Sequence, residues 1–235
     1  MRWTVRLLRA VFPRRCIYCD RVIAAQKTAC DICAADVPRM EDPVCYRCGR
    51  SRKLCTCKQH RHAFDRVVSA MQYTDGAKAA VLRLKRCDDA DLVETMAEEM
   101  VASLRVRVDA AAFDAVTCIP MFKKRERRRG FNQSELLARE VAKLIGVPFR
   151  PLLTKIYDTA EQKDLPMIER SGNLLGAFDV NGNVKELRVL LVDDLITTGA
   201  TLHEAAKMLS LYGASAVTAL TFAATIPKDE EDDEE

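Results

Sequence analysis

Glycine and proline are scarce, 9 and 8 residues among 235, and neither forms a repeat. That excludes a fibre or a chain left unfolded along most of its length. Aromatics are few as well, 6% of the residues with Trp3 the single tryptophan, which leaves little surface on which bases could stack. No apolar run approaches the roughly 20 residues that cross a bilayer, so no membrane insertion is expected. The opening stretch MRWTVRLLRAVFPRR is broken by Arg2, Arg6 and Arg9 and lacks the apolar core of a signal peptide. The expected setting is the reducing cytoplasm, and the length allows one full domain plus a small module.

Cysteine, by contrast, is abundant. Of 10 residues, eight (Cys16, Cys19, Cys30, Cys33, Cys45, Cys48, Cys55 and Cys57) fall in the first 57 positions. In a reducing compartment such clusters bind metal. The pattern is CxxC-x10-CxxC followed by CxxC-x6-CxC, two sets of four thiolates, and zinc prefers tetrahedral sulfur. Two structural zinc ions are expected, because four thiolates leave no open position for chemistry. The spacing leaves open whether the first four and last four pair or interleave, and His60 or His62 could stand in for Cys57. Cys87 and Cys118 lie apart and read as small buried hydrophobes.

Charge is uneven. Residues 1–60 hold 13 Lys and Arg against five acids, including Arg47, Arg50, Arg52 and Lys53, and KKRERRR at 123–129 is a second basic knot. Both suit polyanionic partners. The last eight residues, KDEEDDEE, read as a disordered, solubilising tail.

Hydrophobic spacing sets the expected organisation. Trp3, Leu7, Leu8, Val11 and Phe12 would share one face of a short helix ended by Pro13. A strand is expected over 64–73, then two helices over 75–108 broken near Cys87, Asp88 and Asp89. A buried strand follows at 115–120, then an amphipathic helix at 132–145 with Leu136, Leu137, Val141, Leu144 and Ile145 inward. Strands at 176–180, 188–192 and 214–223, with a helix over 200–212, complete an α/β pattern. This alternation predicts a parallel, doubly wound sheet with ligands beyond the strands' carboxyl ends. The expected units are 1–62, a cysteine-rich zinc module with its leading helix; 63–226, the α/β domain; and 227–235, the tail.

The segment RVLLVDDLITTGATLHEA carries the chemistry. Asp193 and Asp194 end a buried strand, and Thr197, Thr198, Gly199, Ala200 and Thr201 open a helix. Small residues let the chain wrap an anion, and a helix start offers free amides and a positive dipole end. The carboxylates would repel a phosphate but can accept from a vicinal diol or help hold a hydrated magnesium ion. A diol beside a phosphate means a ribose phosphate. DDLITTGAT closely resembles the phosphoribosyl-diphosphate signature of type I phosphoribosyltransferases. That resemblance places the ribose hydroxyls on Asp193 and Asp194, the candidate catalytic pair, and the 5-phosphate on residues 197–201.

Further segments, FPRRCIYC, CYRCG, LRLKR, CIPMFKKRERRRGFNQSELLA and the spaced pattern from Gln162 to Phe178, are laid out as in the ComF family of competence-related proteins. The resemblance runs from about Phe12 to Ala224. It implies a double zinc ribbon joined to a phosphoribosyltransferase domain, with roles near single-stranded DNA and a DNA-uptake helicase. The Arg86-Cys87 pair and the acidic tail depart from it. Where the family's diphosphate loop begins, Pro120, Lys123, Arg125, Arg128 and Arg129 could neutralise a diphosphate with magnesium, and Asn132 would cap the next helix. Lys85 and Arg170 are weaker candidates, and Gln162, Asn173 and Phe178 could simply fix the flanking loop. No base-recognition motif is evident, so the acceptor stays open. A phosphoribosyltransferase of nucleotide metabolism and a non-catalytic DNA- or protein-binding module are the alternatives.

Overall fold

The computed structural model describes residues 13–24, 27–36, 39–55, 57, 62–86, 89–157 and 176–226. The expected N-terminal helix, His60, Cys87, Gln162, Arg170, Asn173 and the acidic tail lie outside the described residues. The first half of the chain forms α1 (Asp31–Asp36), β1 (Arg66–Gln72), α2 (Asp75–Leu84), α3 (Ala90–Arg105) and β2 (Ala115–Cys118). Then come α4 (Lys123–Arg129), α5 (Gln133–Ile145), β3 (Leu153–Lys155), β4 (Phe178–Val180), β5 (Arg188–Ile196), α6 (Ala200–Leu211) and β6 (Ala216–Ala224).

The near-continuous apolar runs RVLLV and AVTALTFAA suit strands covered on both faces. They form the middle of a four-stranded sheet ordered β1-β6-β5-β2, with every neighbouring pair parallel. Successive side chains of β5 alternate between two layers. Val189 and Leu191 meet Leu202, Ala205, Ala206 and Leu209 of α6. Leu190 and Val192 meet Met96 and Met100 of α3 and Leu137 and Val141 of α5. This is the doubly wound α/β architecture that the sequence predicts. The break between the two early helices also falls where expected, with Asp89 capping α3 by accepting from the amides of Asp91 and Leu92 at 3.1 and 3.2 Å.

Two segments differ from the reading of the sequence. The strand expected over 176–180 is only Phe178–Val180, and it pairs antiparallel with β3 in a separate two-stranded hood rather than joining the parallel sheet. Only Phe178 of its three residues is buried, and such a one-sided strand does not fit between two helical layers. The basic run 123–129 is a helix rather than a loop. Lys, Arg and Glu are all good helix formers.

The cysteine-rich module lies along the outer edge of β1. The Met40 amide donates to the Ala70 carbonyl at 2.9 Å and the Val67 amide to the Tyr46 carbonyl at 2.8 Å, so the strand's free edge is paired rather than left open. Arg83 donates to the Cys16 carbonyl at 2.9 Å and pairs with Asp20 at 2.8 Å. Cys16, Ile17 and Tyr18 extend the α2–α3 side of the core, while Met40 and Val44 join the α6 side. Among the described residues no helix is long and apolar enough to cross a membrane.

The closest approach is at Gly49, whose φ of 75° lies in the left-handed region and whose missing Cβ would run into Ser69 Oγ. Ser69 is itself committed to a buried hydrogen bond with Thr221 Oγ1 at 2.7 Å. Left-handed backbone alone costs a non-glycine residue about 1–2 kcal/mol. Gly49→Ala is therefore expected to lower the unfolding free energy by at least about 1 kcal/mol and to loosen the module from β1. Urea unfolding with an unchanged midpoint would show that the contact is not needed.

Candidate active site

Strand β5 does not stop before its acidic pair. It continues to Ile196, so Asp193 and Asp194 sit within the strand, Asp193 in register with Thr221 of β6. Their side chains are almost shut off from water, with residue exposures of 9% and 5%. Asp193 Oδ1 accepts from Ser134 Oγ at 2.7 Å and from the Asp194 amide at 2.9 Å. Ser134 is fixed because Asn132 caps α5 as expected. The Asn132 side chain accepts from the Ser134 amide at 3.1 Å, and its Nδ2 donates to the Ile119 carbonyl at 3.1 Å just beyond β2. Burial, reinforced by the neighbouring charge of Asp194, pushes the Asp193 carboxyl up to about 8.

Asp194 is met differently. Lys85 Nζ lies 2.9 Å from Asp194 Oδ2, yet this buried oxygen receives no well-directed hydrogen bond. Lys85 thus supplies charge without completing a hydrogen bond, and a hydroxyl donor or a hydrated cation would satisfy the oxygen.

Both carboxylates open on a cavity of about 680 Å³. Among the described residues six cations line it: Lys85, Arg86, Arg125, Arg128, Arg129 and Lys155. Arg125, Arg128 and Arg129 share a face because α4 is helical and i, i+3 and i+4 positions are neighbours. Of the residues expected to hold a diphosphate, Pro120, Arg125 and Arg129 line the cavity, whereas Lys123 borders a separate hollow with Glu126 and Arg127. Phe178, from the spaced family pattern, is packed inside the hood with Lys155 Nζ 5.8 Å above its ring.

Residues 197–201 turn β5 into α6. Thr197, Gly199, Ala200 and Thr201 surround a small recess that Asp193 also borders, so it adjoins the large cavity. The Ala200 amide donates to Thr198 Oγ1 at 3.3 Å. Gly199, with φ of 82°, caps α6, and an added Cβ would meet the ring of His62 at 3.0 Å. The first amides of a helix 12 residues long face this turn.

The cysteine clusters are sequential, resolving the alternative left open by spacing. Cys16, Cys19, Cys30 and Cys33 form one, and Cys45, Cys48, Cys55 and Cys57 the other, with all sulfurs of a set within 4.8 Å of one another. Close sulfur pairs are 3.2–3.7 Å apart, near the ~3.8 Å edge that four Zn–S bonds of ~2.3 Å would give a tetrahedron. The Cys33 amide donates to Cys30 Sγ at 3.5 Å and holds that thiol down at about 7. The donor sets fit structural zinc. His62 is not among them: it stacks on Phe64 at 4.6 Å beside the 197–201 turn. Cys118 is buried, and burial pushes its thiol up, as befits a small hydrophobe.

Ser134 and Lys155 join the site without any signal of function in the sequence, and Arg86, which stands out there as a departure from the family, also lines the cavity. Ser134 follows a recognisable cap by two residues, which is the one local signal that could have found it. Lys155 lies on a strand of three residues, too short for any periodicity to reveal.

The raised carboxyl of Asp193 has a consequence for stability. Between the ordinary carboxylate range near 4 and about 8 the folded state holds a proton that the unfolded chain has released, so stability is lost as pH rises through that window. Asp193→Asn keeps an oxygen to accept from Ser134 but cannot ionise. It is expected to flatten the dependence between pH 5 and 8 and to be more stable than wild type at the upper end, as thermal unfolding across pH would show. A parallel decline in both proteins would assign the loss to other groups.

Residues 7–64 match the double zinc ribbon domain and residues 132–235 the phosphoribosyl transferase domain. The chain is 29% identical over 215 residues to the DNA utilization protein YhgH of Salmonella typhi, spanning 87% of this chain and 94% of that one. It is 26% identical over 215 residues to competence protein F of Haemophilus influenzae, spanning 86% and 93%. With competence protein ComFC of Bacillus subtilis it shares 26% identity over 226 residues, spanning 86% and 90%. A double zinc ribbon ahead of a phosphoribosyltransferase fold, aligned along most of these relatives, places the chain in the ComF family.

Proposed function

We propose that the chain binds phosphoribosyl diphosphate with magnesium and transfers the phosphoribosyl group to an acceptor in or near single-stranded DNA, in the cytoplasm. The observation that carries this reading is that two buried carboxylates share one cavity with six cations. That is an arrangement for a ligand with hydroxyls at one end and several phosphate charges at the other. In this reading Asp193 and Asp194 accept from the ribose diol, and the amides and hydroxyls of residues 197–201 hold the 5-phosphate. Arg125, Arg128, Arg129 and Lys85 face the diphosphate.

The bond from C1 to the diphosphate oxygen breaks with its electron pair leaving on the diphosphate, and positive charge develops at C1 and the ring oxygen. The guanidinium groups of α4 stabilise the departing charge, and a nucleophile on the acceptor then bonds to C1. Magnesium, when bound, would add charge neutralisation at the diphosphate. Asp194 Oδ2, which is ion-paired with Lys85 but accepts no hydrogen bond, is a suitable acceptor for its waters. The zinc module, 1–62, would serve the 63–226 domain, with 227–235 as an acidic tail.

The DNA part of the reading is supported by relatives named for competence and DNA utilization. It is also supported by exposed cations on the second ribbon, Arg47, Arg52 and Lys53. Polyanion binding by such residues releases counterions and weakens steeply with salt. A DNA-uptake helicase is a further expected partner.

Calorimetry with phosphoribosyl diphosphate and magnesium tests the first part. Asp193→Asn with Asp194→Asn should weaken binding at least roughly tenfold while the fold persists, since a charge-assisted hydrogen bond to the ionised Asp194 contributes about 1.5–3 kcal/mol. Wild-type affinity in that variant would remove the diol contact. For the second part, single-stranded DNA is titrated at two salt concentrations against Arg47→Ala, Arg52→Ala and Lys53→Ala combined. Weaker binding with a shallower salt slope is expected. An unchanged slope would locate any DNA contact elsewhere.

A further inference from the structure

Arg50 belongs to the second ribbon, two residues beyond Cys48, but its guanidinium is not spread on the surface. Nη2 donates to the Thr197 carbonyl at 2.9 Å and to Thr225 Oγ1 at 3.2 Å, and Nε donates to the Thr225 carbonyl. Thr197 is the first residue of the turn that opens α6, and Thr225 follows β6. The Thr225 amide in turn donates to the Ile196 carbonyl at 3.0 Å. One side chain therefore ties together the ends of the two central strands at the base of the turn. Arg50 is itself held by the cysteine cluster, since the Cys45 amide donates to its carbonyl at 2.7 Å.

The linker from the ribbon closes on the same turn from another side. His62 lies against Gly199, and the Ala63 amide donates to His203 Nδ1 at 3.0 Å in the first turn of α6.

We infer that the second ribbon sets the conformation of the 197–201 turn, with Arg50 as the positioning residue, so that affinity for a ribose phosphate depends on a side chain anchored in the zinc module. This rests on the reading of the turn as a ribose-phosphate site. The physical reason lies in the peptide plane. In a trans peptide the carbonyl and the following amide point in opposite directions. Drawing the Thr197 carbonyl onto Arg50 fixes the Thr198 amide to point away from the ribbon and prevents the carbonyl from turning toward an anion, which it would repel. Order in the turn before binding also spares the ligand the cost of imposing it.

The test uses the full chain, with ribose 5-phosphate titrated by calorimetry and hydrogen exchange followed at the amides of residues 197–202, zinc content being checked by elemental analysis. Arg50→Ala is expected to bind roughly tenfold or more weakly, because bonds from a charged donor are lost. Its turn amides are expected to exchange faster while two zinc ions per chain remain. Arg21→Ala, an exposed cation of the first ribbon, should change neither quantity. Arg50→Lys keeps the charge without the fork and should fall between the two, and it carries the test if Arg50→Ala loses zinc or does not fold. Unchanged exchange in the turn overturns the inference whatever the affinity, and so does faster exchange with wild-type affinity. If the wild-type chain bound no ribose 5-phosphate, the site reading itself would fail, and the exchange comparison would still decide whether Arg50 orders the turn.

Discussion

Two adjacent carboxylates held out of water are the costly feature around which the rest of this molecule is arranged. Neither Asp193 nor Asp194 could sit in the central strand without compensation, because a charge removed from solvent must be paired, hydrogen-bonded or protonated. The structure applies all three. Ser134 and a backbone amide serve Asp193, Lys85 approaches Asp194, and burial drives Asp193 toward its protonated form. The helices that deliver these partners are placed by the same strands that carry the acids. Asn132 fastens α5 to the end of β2, and β2 is the neighbour of β5. The position of Ser134 thus follows from the sheet.

A second dependence runs through the edge of that sheet. β1 is an outer strand, and its unpaired groups are taken up by residues 39–46 of the cysteine-rich module. So small a module has little apolar core of its own, and metal bonds are the ordinary source of order in such segments. Among its ion pairs with the body, Arg39–Glu99 and Arg83–Asp20 each have one partner more than half exposed and contribute little. What locates the module is backbone pairing along β1 and the fit of Gly49 against Ser69. The seating of Arg50 at the base of the 197–201 turn follows from that register.

Much of this was legible in the sequence where a residue type has few physical alternatives. Eight cysteines at close spacing leave little but metal, and apolar runs such as AVTALTFAA fit only a strand covered on both faces. DDLITTGAT joins acids, small residues and a helix start in an order that points to one chemistry. Asn132 was readable as a cap because a polar residue before an amphipathic run is a local signal. The rest depends on distance. Lys155 reaches the cavity from a three-residue strand, and the antiparallel hood pairs segments separated by more than twenty residues. Arg50 and Thr225 are 175 residues apart. In the sequence Arg50 is one of several ribbon cations that suit a polyanion, and only the packing against β1 shows that its guanidinium is engaged. The basic run 123–129 was recognised by charge, but which of its cations face the cavity depends on helical phase, and this leaves Lys123 outside.

The same carboxylates weigh on the choice between a transferase and a surface that follows a nucleic-acid backbone. A groove that only tracks phosphates gains from every cation and is weakened by every acid. Placing Asp193 and Asp194 beneath six cations would lower affinity for a bare polyanion and would cost folding free energy as well. The arrangement becomes favourable when one ligand brings hydroxyls to the acids and phosphates to the cations, because each end then meets its complement across a single cavity. Arg47, Arg52 and Lys53 on the ribbon are exposed, although Lys53 Nζ lies 3.7 Å from a Glu41 carboxylate oxygen, and in the proposed reading they meet the simpler demand of a phosphate backbone. In the proposed reading the charge pattern divides the molecule into a site for a small, two-ended phosphorylated sugar and a separate basic surface for a polymer, and the hydrogen bonds of Arg50 tie it to the turn beside the first rather than to the second.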